Sequence, residues 1–345
     1  MAEEMTYGPK SRPETTVPEQ PTLHALPKIE DERGNLSFIE EGDCGLPEMR
    51  RAYWIYDVPG GEVRGSHAYA ASRELIVALS GSFDVVLRSS DGTEQRIHLC
   101  RSYRAVHVPP RTWRTLENFS TNSLGLVLAS TYYDEDDYIW DEHQIATQPL
   151  PPASQHPDLP LSGLPHPVAV HRRSILPEML RPARTFTLDD CRLVELPRFT
   201  EMRRGCLTPI EECSSALPFC LRRVFYIYDI PSGASRGTHG HRAVWEFIVA
   251  ASSCFEVDVD DGLRRRTFRL DRPYRGLLVP PGLWVHLRDF SSAAVALVLS
   301  SAPYDAADNI NDRAEFLRFR GLDEDALPPC RTESETDGGG VPPRP

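Results

Sequence analysis

Lysine is nearly missing from this chain. Of 38 Lys and Arg side chains, Lys10 and Lys28 are the lysines, so the cationic groups are almost all guanidinium. Genome composition is the first reading of that bias, and selection for planar anion recognition the second. A basic excess is missing too. The 50 acidic residues leave a net charge of −12, which argues against a nucleic-acid binder, because a phosphate backbone needs a basic stripe. A local cluster of arginines can still bind a small diphosphate. Long apolar runs are absent, and the first residues lack a signal-peptide core, so a soluble, cytoplasmic protein with no membrane partner is expected. The eight cysteines form no C-x-x-C pair, and six of them fall in the second half without counterparts in the first. That pattern speaks for reduced thiols rather than a disulfide framework.

What is present is a repeat. Residues 50–85 read RRAYWIYDVPGGEVRGSHAYAASRELIVALSGSFDV, and residues 222–257 read RRVFYIYDIPSGASRGTHGHRAVWEFIVAASSCFEV. Further along, VPPRTWRTLENFS (108–120) pairs with VPPGLWVHLRDFS (279–291), and upstream Glu40-Glu41 matches Glu211-Glu212. A chain of 345 residues is long enough for two domains, each able to bury its own core. The expected division is a disordered tail over 1–21, a first domain over 22–143 and a Pro-rich linker over 144–183. A second domain over 184–322 and a disordered tail over 323–345 complete it.

Within each copy the apolar period is two, in short β-branched and aromatic runs bounded by Gly, Pro or Asp. Asp91-Gly92 and Asp261-Gly262 sit between such runs as hairpin turns. Tyr132–His143 is expected to be the one short helix of the first copy. Closely spaced strands with little helix predict an all-β sandwich or barrel.

One spaced motif occurs in both copies: Gly61-x5-His67-x-Tyr69-x4-Glu74-x6-Gly81, and Gly233-x5-His239-x-His241-x4-Glu246-x6-Ser253. Residues i and i+2 of a strand share a face, so His239 and His241 look together into a barrel. This is the first signature of the cupin barrel, and two copies predict tandem cupin (jelly-roll) barrels. Cupins often use this cluster to hold a metal. The second copy offers His239, His241 and Glu246 as an imidazole–carboxylate set. His286 is a fourth candidate, one residue out of phase for a strand. The first copy has Tyr69 and Arg114 where such ligands would stand, and the expectation is a protein that needs no metal or other cofactor.

The runs R-x-[YF]-[WY]-I-Y-D-[VI]-P, R-G-x-H-x-H, V-P-P-x-x-W and D-F-S, with Ser130–Ile139, resemble the sugar-nucleotide 3,4-ketoisomerases over about 22–140 and 184–310. The resemblance implies conversion of a dTDP-4-keto-6-deoxyhexose to its 3-keto isomer. It also implies a metal-free site, and a fused pseudo-dimer in place of a homodimer, hence a monomeric chain. By the resemblance His67 and His239 take the role of base, and His241 is a second proton-handling group. Moving a carbonyl from C4 to C3 needs a base poised near neutral pH and an enediol(ate), which imidazole suits. Tyr53 can steady the developing oxyanion. Arg51, Arg64, Arg223 and Arg236 are candidates for the diphosphate. Tyr69, Trp113, Trp284 and Arg288 are further candidate contacts to the substrate.

The copies depart from the pattern differently. The first keeps Tyr53 but has Tyr69 for the second His, and the second keeps both His but has Phe225 for Tyr53. The second is therefore expected to be the more active. Two rival readings are a metal-dependent bicupin oxygenase or isomerase, and an inactive carbohydrate-binding cupin.

Overall fold

The computed structural model describes residues 20–89, 92–147, 149, 180–201 and 203–322, together with the backbone of 331–334. Most of the expected tails and of the expected linker, with Asp91, lie outside the described residues, while 331–334, inside the second expected tail, pair as a strand with 264–267.

The first half contributes β1 (Thr22–Ala25), β2 (Lys28–Asp31), β3 (Gly34–Glu40), β4 (Arg51–Tyr56), β5 (Arg64–Tyr69) and β6 (Glu74–Ser80). It continues with β7 (Phe83–Arg88), β8 (Glu94–Leu99), β9 (Arg104–Val108), β10 (Trp113–Glu117), β11 (Leu124–Ala129) and β12 (Tyr138–Ile139). The second half contributes β13 (Arg192–Glu195), β14 (Phe199–Glu201), β15 (Gly205–Glu211), β16 (Arg223–Tyr228), β17 (Arg236–His241) and β18 (Glu246–Ser252). There follow β19 (Phe255–Asp260), β20 (Arg264–Leu270), β21 (Arg275–Val279), β22 (Trp284–Arg288), β23 (Val295–Ser300), β24 (Asn309–Ile310), helix α1 (Arg313–Arg320) and β25 (Arg331–Ser334).

These strands form two barrels, each a larger sheet facing a smaller one, as the period of two predicts. The larger sheets run β1-β9-β6-β11-β4-β15-β14 and β13-β21-β18-β23-β16-β3-β2. The smaller run β12-β5-β10-β7-β8 and β24-β17-β22-β19-β20-β25. Each larger sheet ends in two strands from the other half. Leu207, Pro209 and Glu211 of β15 lie opposite Ile55, Tyr53 and Arg51 of β4. Leu36, Phe38 and Glu40 of β3 lie opposite Ile227, Phe225 and Arg223 of β16. The expected pseudo-dimer is thus built by reciprocal exchange of a hairpin.

The exchange explains why β4 is buried on both faces. Ala52, Trp54 and Tyr56 join Tyr226, Tyr228, Phe247 and Leu297 in one core shared by the two halves. Tyr53 and Ile55 face the opposite way, into the first barrel with Ile76, Phe83 and Val127. Ile227, Ile248 and Val285 do the same in the second.

No helix forms over Tyr132–His143. Asp134 and Asp141 cap two single 3-10 turns, Glu135–Asp137 and Glu142–Gln144, by accepting from the amides of Asp136 and His143. Between them Tyr138 and Ile139 are drawn straight to pair with Tyr69 and Ala68, so sheet closure overrides helix formation. The regular helix is α1 in the second half, capped by Asp312 and ended by left-handed Gly321.

One buried histidine carries a stability prediction. His107 on β9 is fully buried, and no hydrogen bond meets either ring nitrogen among the described residues. Burial, then the charge of Arg73 and the neighbouring His24, push it down to about 4. The native ring stays neutral while the unfolded one takes a proton below its ordinary 6.5. Its contribution is therefore complete above that value and lost as pH falls toward 4. The second half has Leu278 at the matching register, opposite Phe247 as His107 is opposite Leu75. His107→Leu should gain about 2 kcal/mol relative to the parent between pH 7 and pH 5, read from urea melts. Parallel pH dependences would contradict it.

Candidate active sites

Each barrel gathers its chemistry at the same place, where β4, β5, β6 and β10, or β16, β17, β18 and β22, turn side chains inward. The R-G-x-H segment makes this possible. Gly65 and Gly237 have φ of 80° and 76°, and Ser66 and Thr238 also lie at positive φ. A register shift follows in each β5/β10 or β17/β22 pair. A Cβ on Gly65 would stand 2.3 Å from an Arg114 nitrogen and 3.0 Å from its carbonyl oxygen. Glycine is required there, and the bulge it permits re-aims His67 and His239.

In the first barrel the centre is a closed carboxylate–guanidinium–phenol group. Arg114 donates through Nε to Glu74 Oε2 at 2.7 Å and through Nη2 to Tyr53 Oη at 2.8 Å. Tyr53 in turn donates to Glu74 Oε1 at 2.5 Å. Burial would raise Glu74, but Arg114 reverses the effect and holds it at about 2. His67 lies beside this group under Tyr69 and Tyr138, each 4.9 Å away between ring centres, and Trp140 at 5.3 Å. No hydrogen bond meets its ring nitrogens among the described residues. Burial, then Arg114, pushes it down to about 3. Arg51 packs against the rings of Tyr53, Tyr69 and Tyr133. The result is a neutral, weakly basic imidazole with no second proton-handling group beside it.

The second barrel solves the same buried carboxylate differently. Val285 and Phe225 replace the Arg and Tyr, and His241 supplies the cation. Its Nε2 stands 3.3 Å from Glu246 Oε1 and 3.2 Å from His239 Nε2, while Nδ1 meets Asp308 Oδ2 at 2.8 Å. Burial would lower His241, yet Glu246 and Asp308 outweigh it and hold the ring at about 9, so it is an imidazolium at neutral pH. Burial and then the His241 charge push His239 the other way. One strand thus presents a neutral and a charged imidazole in contact, an acid beside a base. Arg223 packs over Phe38, Phe225 and Tyr304, with Glu40 3.7 Å from its Nε.

His239, His241 and Glu246 also place their ligand atoms within 4.8 Å of one another, so this set fits a divalent ion by chemistry and spacing. His286 does not join it. It points to the other face of β22, with Asp258 4.0 Å away.

Several sequence candidates stand elsewhere. Arg236 donates to the carbonyl oxygens of Arg33 and Gly34 and lies 3.4 Å from Asp31, clamping the exchanged β2–β3 hairpin. Arg64 lies 3.3 Å from Glu201 of the exchanged β14. Trp113 and Trp284 are turned outward by strand parity. Trp113 packs on Ala68, Ala70, Ile139 and Ile145, and Trp284 on Ile310, Phe316 and Leu317. Arg288 shares that outer face and pairs with Asp258, Glu256 and Asp289. Asp308 escaped the sequence reading. Its counterpart Asp137 is buried and accepts from the amides of Ala71 and Ser72. Asp308 accepts likewise from Ala243 and turns its other oxygen to His241. The signal available was an aspartate kept at the same place in both copies.

Similarity to known proteins extends over both halves. The family model described as FdtA: WxcM-like, C-terminal, matches twice, over residues 19–148 and 189–321. A TDP-4-oxo-6-deoxy-alpha-D-glucose-3,4-oxoisomerase of Aneurinibacillus thermoaerophilus is 37% identical over 116 residues, 34% of this chain and 83% of the relative. A sugar 3,4-ketoisomerase from Thermoanaerobacterium thermosaccharolyticum, solved with TDP, is 32% identical over 36% of this chain and 90% of its own, with a TM-score of 0.34. A TDP-fucose-3,4-ketoisomerase from Campylobacter jejuni is 30% identical over 36% of this chain and 92% of its own, also at 0.34.

Proposed function

The chain belongs to the FdtA (WxcM-like, C-terminal) family in two consecutive copies, and on that premise we propose that it is a sugar-nucleotide 3,4-ketoisomerase. Its substrate is a dTDP-4-keto-6-deoxyhexose, whose keto group moves from C4 to C3. The observation that carries the mechanism is the His239–His241 contact at 3.2 Å between imidazoles driven to opposite charge states. His239 takes the C3 proton. The C3–H electron pair becomes the C3=C4 bond of an enediol(ate), and charge develops on the C4 oxygen. His241, held by Asp308 and Glu246 as an imidazolium, supplies the positive charge and donates the proton that the C4 oxygen takes. Return of a proton to C4 and loss of the C3 hydroxyl proton complete the isomer, so atoms and electrons balance with no redox partner. Arg223 is the contact for the diphosphate. In the first barrel His67 and Arg51 occupy the places of His239 and Arg223, and Tyr69 stands where His241 does. The chain acts as a monomeric pseudo-dimer in cytoplasmic deoxysugar biosynthesis.

The test is direct: incubation with dTDP-4-keto-6-deoxyglucose, followed by NMR, should give the 3-keto isomer. Unchanged substrate would favour the carbohydrate-binding reading. The spacing of His239, His241 and Glu246 supports a second reading, a metal-dependent bicupin. Protein stripped by chelation is expected to keep its turnover within about twofold, since imidazole acid–base chemistry alone can supply the ~10²–10⁴-fold the proton transfer needs. Activity lost on chelation and restored by stoichiometric iron, zinc or manganese would promote the metal reading.

A further inference from the structure

The connection between β15 and β16 holds two cysteines that the isomerase chemistry does not use. Cys213 and Cys220 bring their sulfurs to 3.0 Å, inside the van der Waals contact of two sulfur atoms. The loop is built to hold them there. The Cys213 amide donates to the Phe219 carbonyl at 3.0 Å and the Ser214 amide to Leu217 at 3.0 Å, closing the turn between them. Cys213 also adopts a left-handed backbone, φ 52°, where the first half has Gly42 at φ 88°. A side chain at such a position costs on the order of 1 kcal/mol over glycine. Here that conformation delivers the sulfur to its partner.

A metal does not account for the pair. Glu212 is the third member of this cluster, but its oxygens are taken. Oε1 accepts from Arg50 and Tyr132, and Oε2 from the Leu221 amide at 2.7 Å. The two thiols are also unlike. Cys213 is partly exposed and Cys220 buried. Hydrogen bonding with Cys220, first among the causes, lowers the Cys213 thiol and makes it the nucleophile of the two.

We infer that Cys213 and Cys220 are a reversible thiol–disulfide pair, closed by a low-molecular-weight disulfide such as oxidised glutathione. The Cys213 thiolate attacks one sulfur of the oxidant, and the first glutathione thiolate leaves. Cys220 then gives up its proton and attacks Cys213 Sγ, releasing the second. Two protein thiols are oxidised by two electrons, one disulfide is reduced to two thiols, and the protons pass to solvent or glutathione. The ring so formed encloses residues 213–220. It lies between Glu212, which holds Arg50 beside Arg51, and Arg223 of the second site.

The experiment is titration of the whole protein with glutathione redox buffers and mass spectrometry under non-reducing conditions. Trypsin gives the peptide Gly205–Arg222, which contains Cys206, Cys213 and Cys220. Further cleavage after Phe219 separates Cys213 from Cys220 unless they are bridged. The expected result is loss of two hydrogen masses, with the fragments joined through 213 and 220. Cys206→Ser should retain this bridge, and Cys213→Ser should abolish it. Arrest at a mixed disulfide on Cys213, a bridge through Cys206, or a bridge between chains would each overturn the inference. The peptide map of the unaltered protein decides the matter even where a serine variant fails to fold.

Discussion

His239→Asn and His241→Asn are each expected to cut turnover by on the order of 10²–10⁴-fold, while His67→Asn costs less than about tenfold. The asymmetry follows from what surrounds each imidazole. His239 has a charged partner at 3.2 Å that can donate a proton to the substrate oxygen, and that partner is fixed through Nδ1 by Asp308. His67 has Tyr69 in that place, a phenol whose ionisation burial pushes far above neutral pH. The conjugate acid of His67, pushed down to about 3, is too acidic to be a useful product of proton abstraction at pH 7. Because His239 and His241 act as a unit, the double variant should lose little more than either single one. The check is kcat and kcat/KM of the folded variants with the 4-keto sugar nucleotide. Equal, near-complete loss from His67→Asn and His239→Asn would mean that the sites depend on each other. Full activity in all of them would sink the histidine-base mechanism.

Cutting the chain between its halves is expected to abolish the folded monomer of each. Trp54, Leu126, Tyr226, Phe247 and Leu297 belong to one core that spans both halves. Exposing side chains of this size costs about 1.5–3 kcal/mol each. Ten such groups exceed the ~5–15 kcal/mol by which a domain is normally stable. Each half also loses the two strands that complete its larger sheet. Separately expressed halves should therefore aggregate or self-associate, and co-expressed halves should assemble one to one and recover activity. A half that stays monomeric and melts cooperatively would contradict this.

The exchange marks where the sequence stopped being readable. The period of two, the repeat and the inward parity of His67, His239 and His241 are local properties, and the fold follows them. Which copy a strand joins is not local. Arg64 and Arg236 therefore looked like free cations near the site, when each holds a hairpin from the other half. Strand parity was available for Trp113, Trp284 and Arg288. It turns them outward as surely as it turns Arg114 and Val285 inward. Asp308 is 67 residues from His241, and its trace in the sequence is the aspartate kept at that place in both copies. The correlated exchange of Tyr53, Tyr69 and Arg114 for Phe225, His241 and Val285 makes sense once the buried Glu74 and Glu246 are seen. Each set is one way of supplying a buried carboxylate with a cation.

The most direct measurement is deuterium wash-in from heavy water at C3 and C4 of dTDP-4-keto-6-deoxyglucose, followed by NMR for the parent, His67→Asn and His239→Asn proteins. The account predicts exchange with the parent and with His67→Asn, and none above background with His239→Asn. Exchange that survives in His239→Asn and vanishes in His67→Asn would contradict it.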